Sequence, residues 1–426
     1  MAKVSLIFKT RDEDPMNRIN TLYIFLLLCF LTVSNSSFSQ KTLSSTDQAL
    51  RYSLYSRLGL KIIPIKTSES SFKLQFVIEK IEESPAFSNF SFSYSILSAY
   101  DQEIRSDQAT LLTEDDLKKD TDRHWLFEKT VEVPESQETA IAFLSITDTR
   151  QGDEYVYHID LKSSYVLDHP DFGAYYANDV PFDQNYINKE EYLIFKTVNA
   201  PSIQAYHYPM VFDVPFPPME TRPADIPKEL NVIQMGDFLA DVPKQLNEEG
   251  YNFFQTDTTA STGLLLKITH ESFPKVKDWE EMVQMVTYIS TRKEHESLLL
   301  AEDKKKALDE YWISLTRNPD ISKELIRNYF RMVEFANILF TDFKEGWKTD
   351  KGMVYIVMGP PQEVNFYLDR EVWAYGGMDD SSKIRFTFAR AKTILSPHFY
   401  TLNRSRAYQP VWFKNISQWR SGKMAF

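Results

Sequence analysis

One short run, Gly346-Trp347-Lys348-Thr349-Asp350-Lys351-Gly352, combines an aromatic ring with polar side chains able to do chemistry. A carboxylate beside an ammonium group, with an arginine upstream and an aromatic ring, could bind the carboxylate or the hydroxyl groups of a small ligand. The candidate binding residues are Arg331, Trp347, Asp350 and Lys351. A structural interpretation competes with this one, because polar side chains in turns usually hydrogen-bond to nearby backbone.

In the structural interpretation, Gly346 and Gly352 permit tight backbone at the two ends of the run. Trp347 covers a core between helices and a sheet, and Thr349 or Asp350 caps a turn. Three residues further along the chain are assigned to the same structural motif, namely Gly359, Pro360 and Trp373. The sequence leaves the binding and the structural interpretations open.

The sequence contains no known catalytic motif: no nucleophile elbow, no His-Glu-x-x-His pair, no phosphate loop and no dinucleotide fingerprint. The seven histidines lie singly, without metal-ligand spacing. His158 lies on an alternating segment and is interpreted as a half-buried polar residue. Because acidic residues are numerous, a carboxylate pair for glycoside cleavage stays open, although no pair stands out. We therefore expect no catalytic residue, no metal and no cofactor, and we favour binding over catalysis.

The chain of 426 residues carries a formal net charge of −12. An acidic chain repels phosphate backbones, and no basic stripe occurs, so we do not expect nucleic acid as a partner. The length predicts two or three domains. The 23 tyrosines and 30 phenylalanines favour β structure, because aromatic residues suit half-buried strands.

Residues 1–39 have the pattern of a secretory signal peptide, with a second possible start at Met16. Residues 22–33 are almost continuously apolar, a length typical of a signal-peptide core and shorter than the roughly 20 residues of a spanning helix. Small residues at Ser37 and Ser39 place cleavage before Gln40. The alternative is an uncleaved N-terminal anchor, since the apolar block has a borderline length.

Cys29 lies inside the apolar block and not at its end, which argues against lipid attachment. Removal of residues 1–39 leaves no cysteine, so disulfides and thiolate metal sites are excluded. We expect an exported protein that is periplasmic, outer-membrane-associated or extracellular, with no transmembrane span after cleavage.

Two consecutive β regions follow the leader. Residues 45–165 are predicted to form a β-sandwich-like domain, with alternating strands at 72–78, 90–96, 125–133, 140–146 and 155–161. Residues 166–275 are predicted to form a second small β domain with proline-rich segments and strands at 192–198, 203–211, 252–255 and 264–268.

In residues 278–426 the spacing of the apolar residues first becomes helical and then returns to a pattern typical of strands. Asp278 is placed to cap a helix, and a break at 318–320 leads to a second helix that starts at Asp320 or Ser322. Apolar residues three and four apart predict one face of that helix, formed by Ile321, Leu325, Tyr329, Met332, Ala336 and Leu339.

The apolar run 353–358 predicts a central strand covered on both faces. Segments 371–375 and 383–389 flank a glycine-rich turn and predict a hairpin, and 398–402 predicts a further strand. The predicted fold class is therefore a multidomain protein, with an all-β N-terminal region followed by an α+β C-terminal domain.

The run from Gly346 to Asp350 resembles the motif of the GWxTD-domain family of exported bacterial proteins, found largely in Bacteroidetes-type organisms. The resemblance extends over about residues 278–388 and includes Trp312, segment 329–337, segment 359–363 and segment 373–375. This chain differs from the usual pattern at Lys351, where the family typically has arginine, and at Arg317-Asn318-Pro319, where Arg-Asp-Pro is usual. The resemblance implies export, a β-rich N-terminal part and a C-terminal GWxTD domain, without an established activity.

Two functional hypotheses follow. In the first, the exported protein acts in the cell envelope by binding or assembling other proteins, whose identity is unknown. In the second, it binds or acts on carbohydrate. The position of the Trp347 and Trp373 rings discriminates between them, because buried rings favour a structural motif and rings beside an open groove favour sugar.

Overall fold

The computed structural model describes residues 40–81, 85–166, 168–209, 211–222, 226, 231–260, 262–377, 382–393, 396 and 398–424. The predicted signal peptide at 1–39 lies outside the described residues. Within the part of the chain that is described, no helix is long and apolar enough to cross a membrane. Thr42–Phe426 form one compact unit.

Residues 58–162 form a β-sandwich, as the alternating pattern predicts. Its two four-stranded antiparallel sheets have the orders β1-β2-β6-β5 and β4-β3-β7-β8. Large inward side chains such as Phe76, Phe92, Trp125 and Phe127 fill the core between the sheets. The strands are β1 (Leu58–Lys66), β2 (Ser71–Lys80), β3 (Phe90–Leu97), β4 (Thr110–Leu112), β5 (Leu117–Asp120), β6 (His124–Glu132), β7 (Ala140–Asp148) and β8 (Glu154–Lys162).

A second β region packs on the outer face of the sandwich. Val180 of this region contacts Val77 and Leu126 of the sandwich, which is why β2 is buried on both faces. Its two sheets have the orders β10-β16-β15-β12-β13 and β14-β11-β9. The strands are β9 (Phe172–Tyr175), β10 (Tyr186–Asn188), β11 (Tyr192–Thr197), β12 (Ser202–Tyr208), β13 (Gln234–Leu239), β14 (Lys244–Gln245), β15 (Gly250–Gln255) and β16 (Leu264–Thr269).

The C-terminal region is α+β, as predicted. Helices α1 (Trp279–Met285), α2 (Arg292–Leu300), α3 (Lys304–Thr316), α4 (Pro319–Phe340), α5 (Asp350–Met358) and α6 (Gln409–Arg420) accompany strands β17 (Glu363–Phe366), β18 (Arg370–Tyr375), β19 (Ile384–Arg390) and β20 (Tyr400–Leu402). The four strands form one antiparallel sheet in chain order. The predicted hairpin is β18–β19, in which Phe386 and Phe388 face the core.

The predicted strand at 353–358 is wrong, because these residues form most of helix α5. Thr349 caps the helix at its start, and Gly359 ends it with a positive φ of 84°. Every residue from Met353 to Met358 is buried. A helix buried on all sides shows no 3.6-residue period, so its sequence cannot be distinguished from that of a covered strand.

Helix α4 begins at Pro319, before the predicted start at Asp320 or Ser322. Asn318 caps α4, accepting hydrogen bonds from the backbone of Asp320 and Ile321, and Pro319 occupies the first turn. Proline is favoured there because its missing N–H would have no partner within the helix. The predicted apolar face is largely correct, since Leu325, Tyr329, Met332 and Ala336 are buried; Ile321 is partly exposed.

The N-terminal segment of the described chain packs against the C-terminal sheet. The backbone N–H of Gln48 donates to the carbonyl of Val364 at 2.9 Å, and the Tyr355 hydroxyl donates to the carbonyl of Tyr52 at 2.8 Å. One hydrophobic core therefore joins residues of this segment and of β7 to the helices and the C-terminal sheet. The 3₁₀ turn Ala49–Tyr52 brings Arg51 to the same junction.

Replacing Asn318 with alanine should lower the free energy of unfolding by about 1 kcal/mol, because two backbone N–H groups lose their cap. Urea denaturation measures this loss. Arg327→Ala, at an exposed position of the same helix, serves as the control and should change stability by less than about 0.5 kcal/mol. Equal effects of the two substitutions would contradict the assignment of the cap.

Candidate functional site

The two glycines of the Gly346–Gly352 run are required by close backbone contact. A Cβ atom on Gly346 would collide with the carbonyl oxygen of Ala336 on α4. A Cβ atom on Gly352 would collide with the carbonyl oxygen of Gly346 itself. The run therefore folds back on its own turn and lies directly against the backbone of α4.

Hydrogen bonds hold this turn to α4 and start the next helix. The Trp347 N–H donates to Oδ1 of Asn337 at 3.1 Å, and the Tyr288 hydroxyl donates to the Trp347 carbonyl at 2.5 Å. Oγ1 of Thr349 accepts from the N–H of Gly352 at 2.9 Å and donates to the carbonyl of Gly346 at 2.7 Å. Thr349 is thus the cap of α5.

Asp350 is buried and paired. One carboxylate oxygen lies 2.5 Å from Nη2 of Arg404, and the other accepts the backbone N–H of Leu402 at 2.7 Å. Both charged side chains are almost fully buried. The Asp350 carboxylate therefore ties the first turn of α5 to β20, and its oxygens do not face a ligand.

Lys351 points away from Asp350. Its ammonium pairs with the fully buried carboxylate of Glu371 and lies 4.0 Å from the centre of the Tyr400 ring. The Tyr52 hydroxyl and the indole N–H of Trp373 donate to the same carboxylate at 2.8 and 2.6 Å. Burial lowers the pKa of Lys351, and the charge of Glu371 opposes this effect.

The other residues predicted for binding or for the structural motif do not contact Lys351 or Asp350 from an open pocket. Arg331 is exposed on α4 and lies 5.7 Å from the Phe335 ring. The Trp347 and Trp373 rings are 3% and 0% exposed, so neither can serve as a stacking platform for a ligand. Gly359 ends α5, and Pro360 follows it. The structure thus does not bring Arg331, Asp350 and Lys351 together around one pocket.

Lys351 instead faces a cavity of about 310 Å³ that lies where the sandwich, the second β region and the C-terminal region meet. This is at the lower end of the volumes of small-molecule sites, which start at roughly 300 Å³. Two of its lining residues, Asn185 and His398, are exposed and mark where the cavity reaches solvent. Its polar walls hold four basic and three acidic side chains: Arg51, Lys61, Lys351, Arg390, Asp160, Asp183 and Asp342.

Two of the four cations in the cavity are neutralised by carboxylates. Lys351 pairs with Glu371, and Arg390 lies 2.5 Å from Asp160 in a pair that is 1% exposed at both ends. Arg51 and Lys61 make no ion pair with an acidic side chain of the described residues. The Arg51 guanidinium lies 4.0 Å from the centre of the Tyr157 ring.

The cations of the cavity affect the pKa values of two nearby side chains, Tyr157 and His158. Burial raises the pKa of Tyr157, but Lys61 and Arg51 outweigh that effect and hold the pKa of this phenol below its ordinary value. Burial, with Arg51, Arg390 and Lys351, holds the pKa of His158 well below its ordinary range, so its ring is neutral. Burial raises the pKa of Asp342 to about 6, against the opposing charges of Lys61 and Lys351.

This arrangement is suited to binding. It combines cations, carboxylates and phenols that can hold a polar molecule. Among the residues that the structure describes, no cluster of three His, Asp or Glu side chains could hold a metal ion.

Sequence reasoning missed most of the cavity. Arg51 and Lys61 lie near the start of the described chain, whereas Tyr157, Asp342 and Arg390 come from distant segments, and no motif joins them. One signal was present: Asp160 and Arg390 interrupt apolar strands, and charged residues in such positions are rarely buried without a partner. His158, expected to be half-buried, is buried and hydrogen-bonds to Gln48.

The fold and the site together define a protein with a β-sandwich, a second β region and an α+β domain, whose motif lies at the start of a buried helix. Residues 250–421 match the family model of the GWxTD domain, so this part of the chain is a GWxTD domain. The match includes β15, β16 and the whole of the C-terminal helical layer and sheet. No curated protein matches the chain.

Both departures from the usual family pattern keep the physical role that the geometry shows. Asn318 caps α4 as aspartate would, because the two residues are equally good caps. Lys351 supplies a cation to Glu371, as the arginine typical of the family could.

Substituting Gly346 with alanine should lower the free energy of unfolding by about 3 kcal/mol, because the added methyl group collides with the α4 backbone. The matched control is Gly236→Ala, whose Cβ would meet nothing closer than 4.0 Å. Thermal or urea unfolding of both variants measures the difference. Similar stability of the two variants would show that the close contact does not constrain residue 346.

Proposed function

We propose that this protein is exported to the cell envelope and acts there by binding another protein, without catalysis. Export is supported by the signal-peptide pattern of residues 1–39. The observation that carries the binding proposal is an apolar edge strand, β13, in the second β region.

Strand β13 is the last strand of its sheet and pairs only with β12 among the described strands. Phe238 turns inward and contacts the Phe195 and Phe254 rings. The alternate residues turn outward, where Met235 and Leu239 are 67% and 66% exposed. Ile233, immediately before the strand, is 64% exposed.

An exposed edge with aliphatic side chains is a liability for a soluble protein, since its unpaired N–H and C=O groups can recruit other strands. Proteins usually protect such edges with lysine, proline or a covering loop. Strand β13 carries one charged residue, Asp237, and three aliphatic residues flank it on the outward face. A partner strand that adds to this edge would pair the backbone groups and bury the aliphatic side chains.

The expected partner is therefore a protein that presents an extended segment with alternating apolar residues. The Gly346–Gly352 run is a less suitable docking surface, because Trp347 and Asp350 are buried and Lys351 faces the cavity. The alternative function, carbohydrate binding, is not supported by Trp347 and Trp373, whose rings are buried. A sugar would have to enter the cavity.

Crosslinking of tagged protein in intact cells tests the proposal. The unsubstituted protein should recover a stoichiometric partner. The double variant Ile233→Asp, Met235→Asp should recover at least about tenfold less, because carboxylates buried at an apolar interface cost on the order of 2 kcal/mol. Leu300→Asp, at an aliphatic position that is 84% exposed on α2, is the matched control and should retain the partner.

Recovery of the protein alone, or equal recovery with both variants, would contradict the proposal. Unfolding midpoints close to that of the unsubstituted protein establish that the variants are folded. The N-terminus of the recovered protein checks export: a chain that begins at Gln40 supports cleavage, whereas one that begins at Met1 or Met16 in a cytoplasmic fraction contradicts it.

A further inference from the structure

Two cationic side chains that line the cavity, Arg51 and Lys61, lack an acidic partner among the described residues. A charge removed from bulk water costs several kcal/mol unless a counter-charge or hydrogen bonds compensate. Lys351 and Arg390 have such counter-charges in Glu371 and Asp160. Arg51 and Lys61 have no ion pair with an acidic side chain of the described residues, although both line the cavity.

Both cations line the same cavity, and the position of Arg51 in it is defined by two aromatic rings. The Arg51 guanidinium lies 4.0 Å from the Tyr157 ring and 5.2 Å from the Phe366 ring. Lys61 acts on the same phenol strongly enough that, with Arg51, it outweighs the effect of burial on the pKa of Tyr157. A cationic side chain that lines a cavity and has no acidic partner within ion-pair distance can bind an anionic group of a ligand.

The cavity lining also has acceptors for hydroxyl groups. Asp183 and Asp342 contribute carboxylates to this lining, and neither forms an ion pair within the described residues. Lys61 and Lys351 lie near enough to Asp342 to affect its pKa. They would repel an ammonium group of a ligand there, so a neutral hydroxyl suits these carboxylates better than a second charge.

We propose that this cavity binds a small hydroxylated anion, a sugar acid or a sugar phosphate, with its acid group held by Arg51 and Lys61 beside Tyr157. Its hydroxyl groups donate to the carboxylates of Asp183 and Asp342. The cavity of about 310 Å³ has the size for one such molecule. This site is separate from the β13 edge, so each proposal can fail without the other.

Isothermal titration calorimetry of the purified protein with four probes tests the site: glucuronate, glucose 6-phosphate, glucose and inorganic phosphate. We expect binding of glucuronate, of glucose 6-phosphate or of both, and at least about tenfold weaker binding of glucose and of phosphate, since each lacks one of the two recognised features. A preference between the first two probes distinguishes a carboxylate ligand from a phosphate ligand.

The Lys61→Met variant should bind the preferred probe at least about tenfold more weakly, because a charge-assisted hydrogen bond is lost. It should remain folded, since it replaces a charge that has no ion pair with a side chain of similar length. Lys118→Met makes the same change at an exposed position of β5, outside the cavity, and should leave the affinity unchanged. Arg51→Met provides a second, independent variant with the same expected loss.

Three results would overturn the proposal. The first is no binding of either anionic sugar. The second is equal binding of neutral glucose, or of phosphate alone. The third is an affinity that Lys61→Met and Arg51→Met leave unchanged while both variants are folded.

Discussion

The close contact between the Gly346 turn and the backbone of α4 is the constraint on which the C-terminal region depends. With no Cβ at Gly346, the chain can touch the carbonyl of Ala336, and the turn then closes on Gly352. Thr349 caps α5 at the position that this contact sets. The following two residues project in different directions: Asp350 reaches Arg404, and Lys351 reaches Glu371 at the edge of the cavity.

Three buried ion pairs then fix how the parts of the molecule meet. Asp350–Arg404 joins α5 to the segment after β20, Lys351–Glu371 joins α5 to β18, and Arg390–Asp160 joins β19 to the sandwich. Buried ion pairs add little net stability over apolar contacts, but breaking one is costly, because the remaining charge has no partner. Two of these pairs lie within the C-terminal region, and Arg390–Asp160 ties that region to the sandwich beside the cavity.

The sequence predicted the parts of this fold that have a clear period. Strand β3 alternates because one face meets the sandwich core, and β19 of the hairpin alternates because one face meets the C-terminal core. Helix α5 was mistaken for a strand, since it is buried on every side and shows no period. For the site, the motif led to Lys351, which lines the cavity. Arg51 and Lys61 could not be found, because only the tertiary fold brings them beside Tyr157.

The GWxTD motif starts α5 through the Thr349 cap and fixes its first turn through the Asp350–Arg404 ion pair. A double-mutant cycle on Asp350→Asn and Arg404→Gln, measured by urea unfolding, tests this most directly. Each single substitution should cost about 3 kcal/mol, and the double substitution should cost less than the sum by more than about 1 kcal/mol. Costs that add to within about 0.5 kcal/mol would contradict the account, because independent residues behave in that way.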